Sequence, residues 1–283
     1  MAPRKRVSAV SYLNTAPLVW GMTHGPQKGV FDLRFELPSE CADALRGGKA
    51  DIGLVPVIEL ARQPDLGVLP GCGIIALGLV RSILLISKKP MEEIESFAAD
   101  TGSRTSVVMT QVLLARRFGL RPRVRPYPPK LDEMLELADA ALIIGDAALR
   151  IDPEMSEWRG EPVQVYDMGA EWRETTSLPM VFAVWAAKNL AAEAWMPAVL
   201  NDSAAYGRRR IEEITAAESP RLGLDPGLVR TYLSEHVSFE LGEEERDSMA
   251  FFLKAAAELG LVGRLPEISF LETPAAAGEQ TAR

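Results

Sequence analysis

Cysteine and histidine are nearly absent from this chain of 283 residues: Cys41 and Cys72, His24 and His236 are all there are. Neither cysteine has neighbours at metal-ligand spacing, which argues against a disulfide framework and a zinc site and fits a reducing compartment. Positive charge is in deficit as well. With 31 basic against 39 acidic residues, a net charge of −8 and a pI near 5.1, the chain is a poor partner for nucleic acid or an anionic membrane, so an anionic small ligand has to depend on local groups. An apolar run of membrane-spanning length is lacking too. The basic Met1–Arg6 looks like the start of a signal peptide, but Ser8, Ser11, Asn14, Thr15 and Pro17 interrupt what would be its apolar core, and a cytoplasmic location is expected. No internal repeat or low-complexity tract is present.

What remains is an ordinary globular composition, 47% hydrophobic and 25% charged, in a chain long enough for two lobes with separate cores. One stretch organises the rest: Asp100-Thr101-Gly102-Ser103-Arg104-Thr105-Ser106, followed by the apolar Val107-Val108-Met109. Small hydroxyl residues and a glycine ahead of a helical pattern can offer free N–H groups, hydroxyls and a guanidinium to a carboxylate or phosphate at a helix N-terminus. The same residues also read as a plain N-cap beside a solvated arginine.

Arg6–Tyr12 reads as a strand that turns through Leu13-Asn14-Thr15-Ala16-Pro17 into a helix starting near Pro17. Asn14 then stands at the carboxyl end of the first strand, where open α/β sheets collect ligands, or caps the helix. Phe31–Leu37 is a second strand, Ser39–Arg46 a helix capped by Ser39 and stopped by Gly47-Gly48, and Ala50–Val57 a buried strand ending at Pro56. The apolar run of Gly73–Ser87, broken by Arg81-Ser82, suggests a strand passing along a cleft, with Ser82 available to a ligand or at an edge. A short helix follows Pro90.

From Thr105 a helix runs to a stop at Gly119; Arg121–Tyr127 is an edge strand among prolines, Leu131–Leu137 a helix, and Ala140–Ile144 a buried strand. Gly145-Asp146 stands at that strand's carboxyl end, where an acid either caps the next helix or serves a ligand. Pro162–Asp167 is a strand, Met168–Pro179 a mixed loop, and Met180–Ala187 a second crossing strand. After it only helices are expected, over about Leu190–Ala217, Pro226–Glu235 and Glu243–Leu259, with a frayed tail at 272–283.

Two crossings between α/β lobes predict an α/β, two-lobed clamshell with residues 1–86 plus 184–283 in one lobe and 87–183 in the other. Its ligand lies between the lobes, reached by Asn14, Ser82, the Ser103 loop and Asp146.

Six motifs, in order along residues 6 to 260, resemble the chorismate dehydratase family: Ser11-Tyr12-Leu13-Asn14-Thr15-Ala16-Pro17; Asp51-Ile52-Gly53-Leu54-Val55-Pro56; Arg81-Ser82-Ile83-Leu84-Leu85-Ile86-Ser87; Asp100 to Val107; Ile144-Gly145-Asp146-Ala147-Ala148-Leu149; and Tyr166-Asp167-Met168-Gly169 through Trp172 to Pro179. Gly102 departs from the pattern, which commonly has a second small hydroxyl residue there. The sister family that makes dihydroxynaphthoate later in the same route carries a Cys-Pro-Asn-Asp type of sequence where this chain has Tyr12-Leu13-Asn14-Thr15.

The resemblance implies a type II periplasmic-binding-protein fold used as an enzyme. The implied reaction is loss of water from chorismate to give 3-[(1-carboxyvinyl)oxy]benzoate, on the futalosine route to menaquinone. Holding both substrate carboxylates rigidly would confine a substrate capable of several reactions to one of them, and hydroxyls, N–H groups and arginine suit that task without metal or organic cofactor. By this resemblance Ser11, Tyr12, Ser82, Ser103, Arg104, Thr105, Ser106 and Gly145 bind substrate, and Asn14 orients the leaving hydroxyl or the ring proton. The base is Asp146 or a carboxylate of the substrate, since neither histidine lies in a motif. The same fold also serves non-catalytic carboxylate-binding proteins, so a binding protein or sensor is the rival from another class.

Overall fold

The computed structural model of the protein describes residues 4–188, 193–263, 265 and 267–271. The expected frayed tail, the first three residues of the chain and the start of the expected helix near Leu190 lie outside them. In chain order the first lobe opens with β1 (Arg6–Val10), α1 (Ala16–His24), β2 (Asp32–Glu36), α2 (Pro38–Arg46), β3 (Ile52–Pro56), α3 (Glu59–Arg62) and β4 (Leu66–Ala76). The chain crosses into β5 (Ile83–Ser87), β6 (Ser96–Asp100), α4 (Thr105–Phe118), β7 (Arg123–Tyr127), α5 (Leu131–Leu137), β8 (Ala140–Ile144) and α6 (Gly145–Leu149). A small hairpin, β9 (Glu157–Trp158) and β10 (Glu161–Pro162), precedes β11 (Gln164–Asp167) and α7 (Met168–Thr176). Return is through β12 (Met180–Lys188), α8 (Trp195–Arg208), α9 (Ile211–Leu222), α10 (Pro226–Thr231), a π-helical turn at Tyr232–His236, β13 (Ser238–Leu241), α11 (Glu243–Glu258) and β14 (Ser269–Phe270).

The strands form two sheets. The first runs β13-β4-β12-β3-β1-β2, with β14 also on β4, and the second runs β11-β5-β8-β6-β7. Pairing is parallel where β-α-β units build the sheet, as in β1 with β2 and β3 or β6 with β7 and β8, and antiparallel where the crossing strands join, as in β12 with β3 and β5 with β8. An apolar cluster fills the first lobe and continues into the second, and a smaller one, including Leu84, Met134 and Ile143, covers the other face of the second sheet. The crossings are the segments 77–82 and 177–179, so β5 belongs wholly to the second sheet and β12 wholly to the first. Sheet membership thus puts each division a few residues before the expected boundaries at 86 and 183. The run Gly73–Ser87, expected as one strand, is two: it breaks at 77–82 between β4 of the first sheet and β5 of the second, whereas Met180–Lys188 is a single strand that stays in the first sheet.

Other local expectations change in ways the packing explains. Leu37, not Ser39, takes the cap position of α2, and the Glu40 carboxylate accepts the Leu37 N–H at 2.8 Å. After Pro90 there is one 3₁₀ turn, Met91–Glu93, before the buried strand β6, because Phe97, Ala98 and Ala99 fill the second sheet's core. The stretch expected as a mixed loop is α7, whose N-terminus Asp167 caps by accepting from the N–H groups of Gly169 and Ala170 at 3.0 Å. Two strands also interrupt the helical return, β13 and β14, both paired on β4.

Candidate functional site

The site is built at strand carboxyl ends. The chain leaves β1 into Ser11–Thr15, β3 ends at Pro56, β6 leads into Gly102-Ser103-Arg104, and β8 into Gly145. These four exits face one another across the two lobes, as the general geometry of open α/β sheets leads one to expect. Between them lies a cavity of about 60 Å³ whose lining includes Tyr12, Asn14, Ser82, Ser103, Arg104, Thr105, Ser106 and Gly145, with Pro56, Ile74, Val80 and Phe182 as apolar walls. Small-molecule sites usually offer about 300 Å³ or more, so this cavity is narrower than a bound substrate would need.

Two polar atoms of lining residues are buried and lack a partner among the described residues: Asn14 Oδ1 and Ser103 Oγ. Asn14 sits in a 3₁₀ turn, Leu13–Thr15, and caps neither that turn nor α1. The alternative of a helix cap therefore does not account for it. At α4 the cap residue is Arg104, whose side chain makes no capping bond, and the N–H groups of Thr105, Ser106 and Val107 find no acceptor among the described residues. A helix of this length with free N–H groups and a positive dipole end suits a carboxylate. Ser103 stands beside it.

Other expected ligands are committed elsewhere. Arg104 reaches back to the first lobe, pairing with Asp43 at 2.8 Å and with the fully buried Glu59 at 3.1 Å. The Thr105 hydroxyl donates to the Phe182 carbonyl at 3.1 Å, again across the lobes, which leaves only its backbone N–H for a ligand. Ser11 lines a neighbouring depression with Trp20, Phe35 and Arg221 rather than this cavity. Asp146 is not in the lining. Its Oδ1 accepts the Leu13 N–H at 2.9 Å and so fixes the turn that carries Tyr12 and Asn14, while burial pushes its carboxyl up from the ordinary range. As a base it is badly placed, because its carboxylate serves the backbone of the opposite lobe.

Several residues that hold the site were given no role of their own from the sequence. Asp100, buried beneath the loop, accepts from Gly102 N–H at 2.8 Å and Ile144 N–H at 3.4 Å and ties β6 to β8; burial raises its carboxyl too. Asp-Thr-Gly is an Asx-turn pattern, and that was the available signal. Asp167 gathers the N–H groups of Val80 and Arg81 at 3.0 and 2.6 Å, pinning the first crossing to α7. Arg81, at φ 64°, donates to the carbonyls of Ala148 and Leu149 at the end of α6. This lock orients Ser82, whose carbonyl accepts the Gly145 N–H at 2.8 Å. Tyr232, 150 residues away, donates its hydroxyl to Ser82 Oγ at 2.9 Å, and nothing local in the sequence marks it.

The chain resembles a chorismate dehydratase of Thermus thermophilus, 34% identical over 264 residues, a match covering 88% of this chain and 93% of that protein. A chorismate dehydratase of Campylobacter jejuni is 25% identical over 89% of this chain and 97% of its own. Among solved structures, the periplasmic aliphatic sulphonate binding protein SsuA from Escherichia coli superposes with a TM-score of 0.63 at 15% identity, covering 94% of this chain and 91% of that one. At that identity the likeness shows the fold alone: a two-lobed, type II periplasmic-binding-protein-like architecture. A menaquinone biosynthesis family profile matches residues 5–258. With that profile spanning both lobes and every element that frames the cavity, this chain belongs to the menaquinone biosynthesis family.

Proposed function

We propose that this protein is a chorismate dehydratase, a hydro-lyase that converts chorismate to 3-[(1-carboxyvinyl)oxy]benzoate and water in menaquinone biosynthesis. In this reaction the ring C–OH bond breaks, the neighbouring ring carbon gives up its proton, the electrons left behind form the third ring double bond, and water departs. Aromatisation supplies the driving force, so the protein has to hold and select rather than push uphill.

The carrying observation is the meeting, in one interlobe cavity, of unpartnered Asn14 and Ser103 with the free N-terminal N–H groups of α4. One substrate carboxylate is assigned to α4, Ser103 and Ser106, where charge-assisted hydrogen bonds are strongest. Asn14 and Ser82, on the opposite wall, face the reacting edge of the ring. Among the described residues the lining holds no carboxylate or imidazole, and burial raises the phenol of Tyr12 well above its usual value. The enolpyruvyl carboxylate of the substrate, which can fold back on the adjacent ring C–H through a six-membered arrangement, is therefore assigned as the base, and Asp146 to positioning.

The partner is a small dianion met in the cytoplasm, a setting that suits two free, buried cysteines whose thiols burial pushes up to about 12. The test is incubation of EDTA-treated protein with chorismate, followed by mass and ultraviolet spectra. Loss of one water and an aromatic spectrum support the reading; chorismate bound but returned unchanged over hours would establish a binding protein instead.

A further inference from the structure

Tyr232 occupies an unusual place. It is 1% exposed, opens the π-helical turn Tyr232–His236, and comes from the helical return of the chain, far in sequence from every motif that lines the cavity. Single π-turns within helical segments are uncommon and are often kept where a side chain must be re-aimed. Its hydroxyl donates to Ser82 Oγ, itself 2% exposed, at 2.9 Å. A serine hydroxyl has one proton and two acceptor sites. With Tyr232 filling an acceptor site, the Ser82 proton is left to donate toward the cavity.

Burial raises the phenol of Tyr232, which keeps its hydroxyl protonated and able to donate. Asn14, on the same cavity lining as Ser82, holds a buried Oδ1 without a partner among the described residues. The lining thus offers an acceptor at Asn14 and, through Tyr232, a donor at Ser82.

We propose that Tyr232 is a positioning residue for the dehydration: by filling an acceptor site of Ser82 it makes Ser82 present a donor to the reacting edge of the substrate. The proposal rests on the chorismate dehydratase reading and adds a residue to it. Without the hydroxyl, the Ser82 proton can turn away, while Ser82 itself stays in the cavity. The loss falls on chemistry more than on binding.

Tyr232→Phe tests this with kcat, KM and the unfolding midpoint measured together. Expected is a fall in kcat of about tenfold or more with KM changed less than threefold. In a cycle with Ser82→Ala, Tyr232→Phe should cost little further kcat in the Ser82→Ala background, since it acts through the missing hydroxyl. A kcat within twofold of the wild type, or two losses that multiply, overturns the proposal, and a lowered midpoint with normal kcat would show a purely structural tyrosine. A wild-type measurement covers a variant that does not fold. In protein labelled at tyrosine Cζ, the buried Tyr232 signal, told apart from Tyr12 with Tyr12→Phe, should shift when 3-[(1-carboxyvinyl)oxy]benzoate saturates the cleft, and an unmoved signal overturns the proposal. No turnover of chorismate with a shifted Tyr232 signal would sink the dehydratase reading and leave the positioning role standing; turnover with an unmoved signal does the reverse.

Discussion

The ring of Tyr12, from the first lobe, lies against the backbone of Gly145, from the second: a Cβ placed on residue 145 would stand 2.6 Å from Tyr12 Cδ2. Gly145 also has φ 64°, so both its conformation and its neighbour demand glycine. Gly145→Ala should cost about 1–2 kcal/mol from the left-handed conformation alone, with more from displacement of the ring. A lowered unfolding midpoint and a raised KM are expected; wild-type values for both would show that the two lobes do not meet through this pair.

Asp146→Asn separates a base from a brace. The amide oxygen can still accept the Leu13 N–H, so kcat should stay within a few-fold of the wild type. Loss of a general base costs roughly a hundredfold to ten-thousandfold. Steady-state rates with chorismate decide, and a fall of that size would return Asp146 to the chemistry. Asp146→Ala should instead lower stability by about 1.5–3 kcal/mol, the worth of a hydrogen bond to a charged group.

Asn14→Ala and Ser106→Ala should fail differently. Asn14 makes no capping bond, so its removal should leave the unfolding midpoint almost unchanged while kcat falls by roughly a hundredfold. Ser106 is assigned to a carboxylate held alike in ground and transition states, so losing its hydroxyl should act on KM, by the equivalent of about 1.5–3 kcal/mol. Equal effects of the two variants on kcat would contradict this division of roles.

Arg104→Met should loosen the clamshell. The guanidinium joins the Ser103 loop to Asp43 and Glu59 of the first lobe, and Glu59 keeps Arg46 and Arg62 as partners when it is gone. The buried carboxylate thus stays paired, and the variant should fold. Small-angle scattering of the free protein should give a larger radius of gyration than the wild type, returning toward it with saturating product as the lobes close about the 77–82 and 177–179 crossings. An unchanged radius in both states would mean that Arg104 does not hold the lobes together.

Local signals were strong where backbone chemistry dominates. Gly119 ends α4 in the left-handed conformation, the prolines around Arg123–Tyr127 mark an edge strand, and the all-apolar Ala140–Ile144 is a buried central one. They were weak where a distant partner decides. The polar, aromatic Met168–Thr176 reads as loop until Trp172 is seen buried with its indole N–H on the Pro179 carbonyl and its ring edge-on to Phe252 of α11. Likewise Arg104 and Thr105 look like ligands in the sequence, because nothing local shows that Asp43, Glu59 and Phe182 will claim them.

The sequence by itself determined the two-lobed α/β plan and the six motifs, five of which reach the interlobe cavity. Periodicity, breakers and strand ends are written residue by residue, and the ligands cluster at strand carboxyl ends. Tertiary structure alone decided which polar groups are free to act. That depends on hydrogen-bond partners far along the chain: Leu13 takes up Asp146, Phe182 takes up Thr105, and Tyr232 bonds to Ser82. A buried donor or acceptor is satisfied by whatever the fold brings within about 3 Å, and sequence distance has no bearing on that.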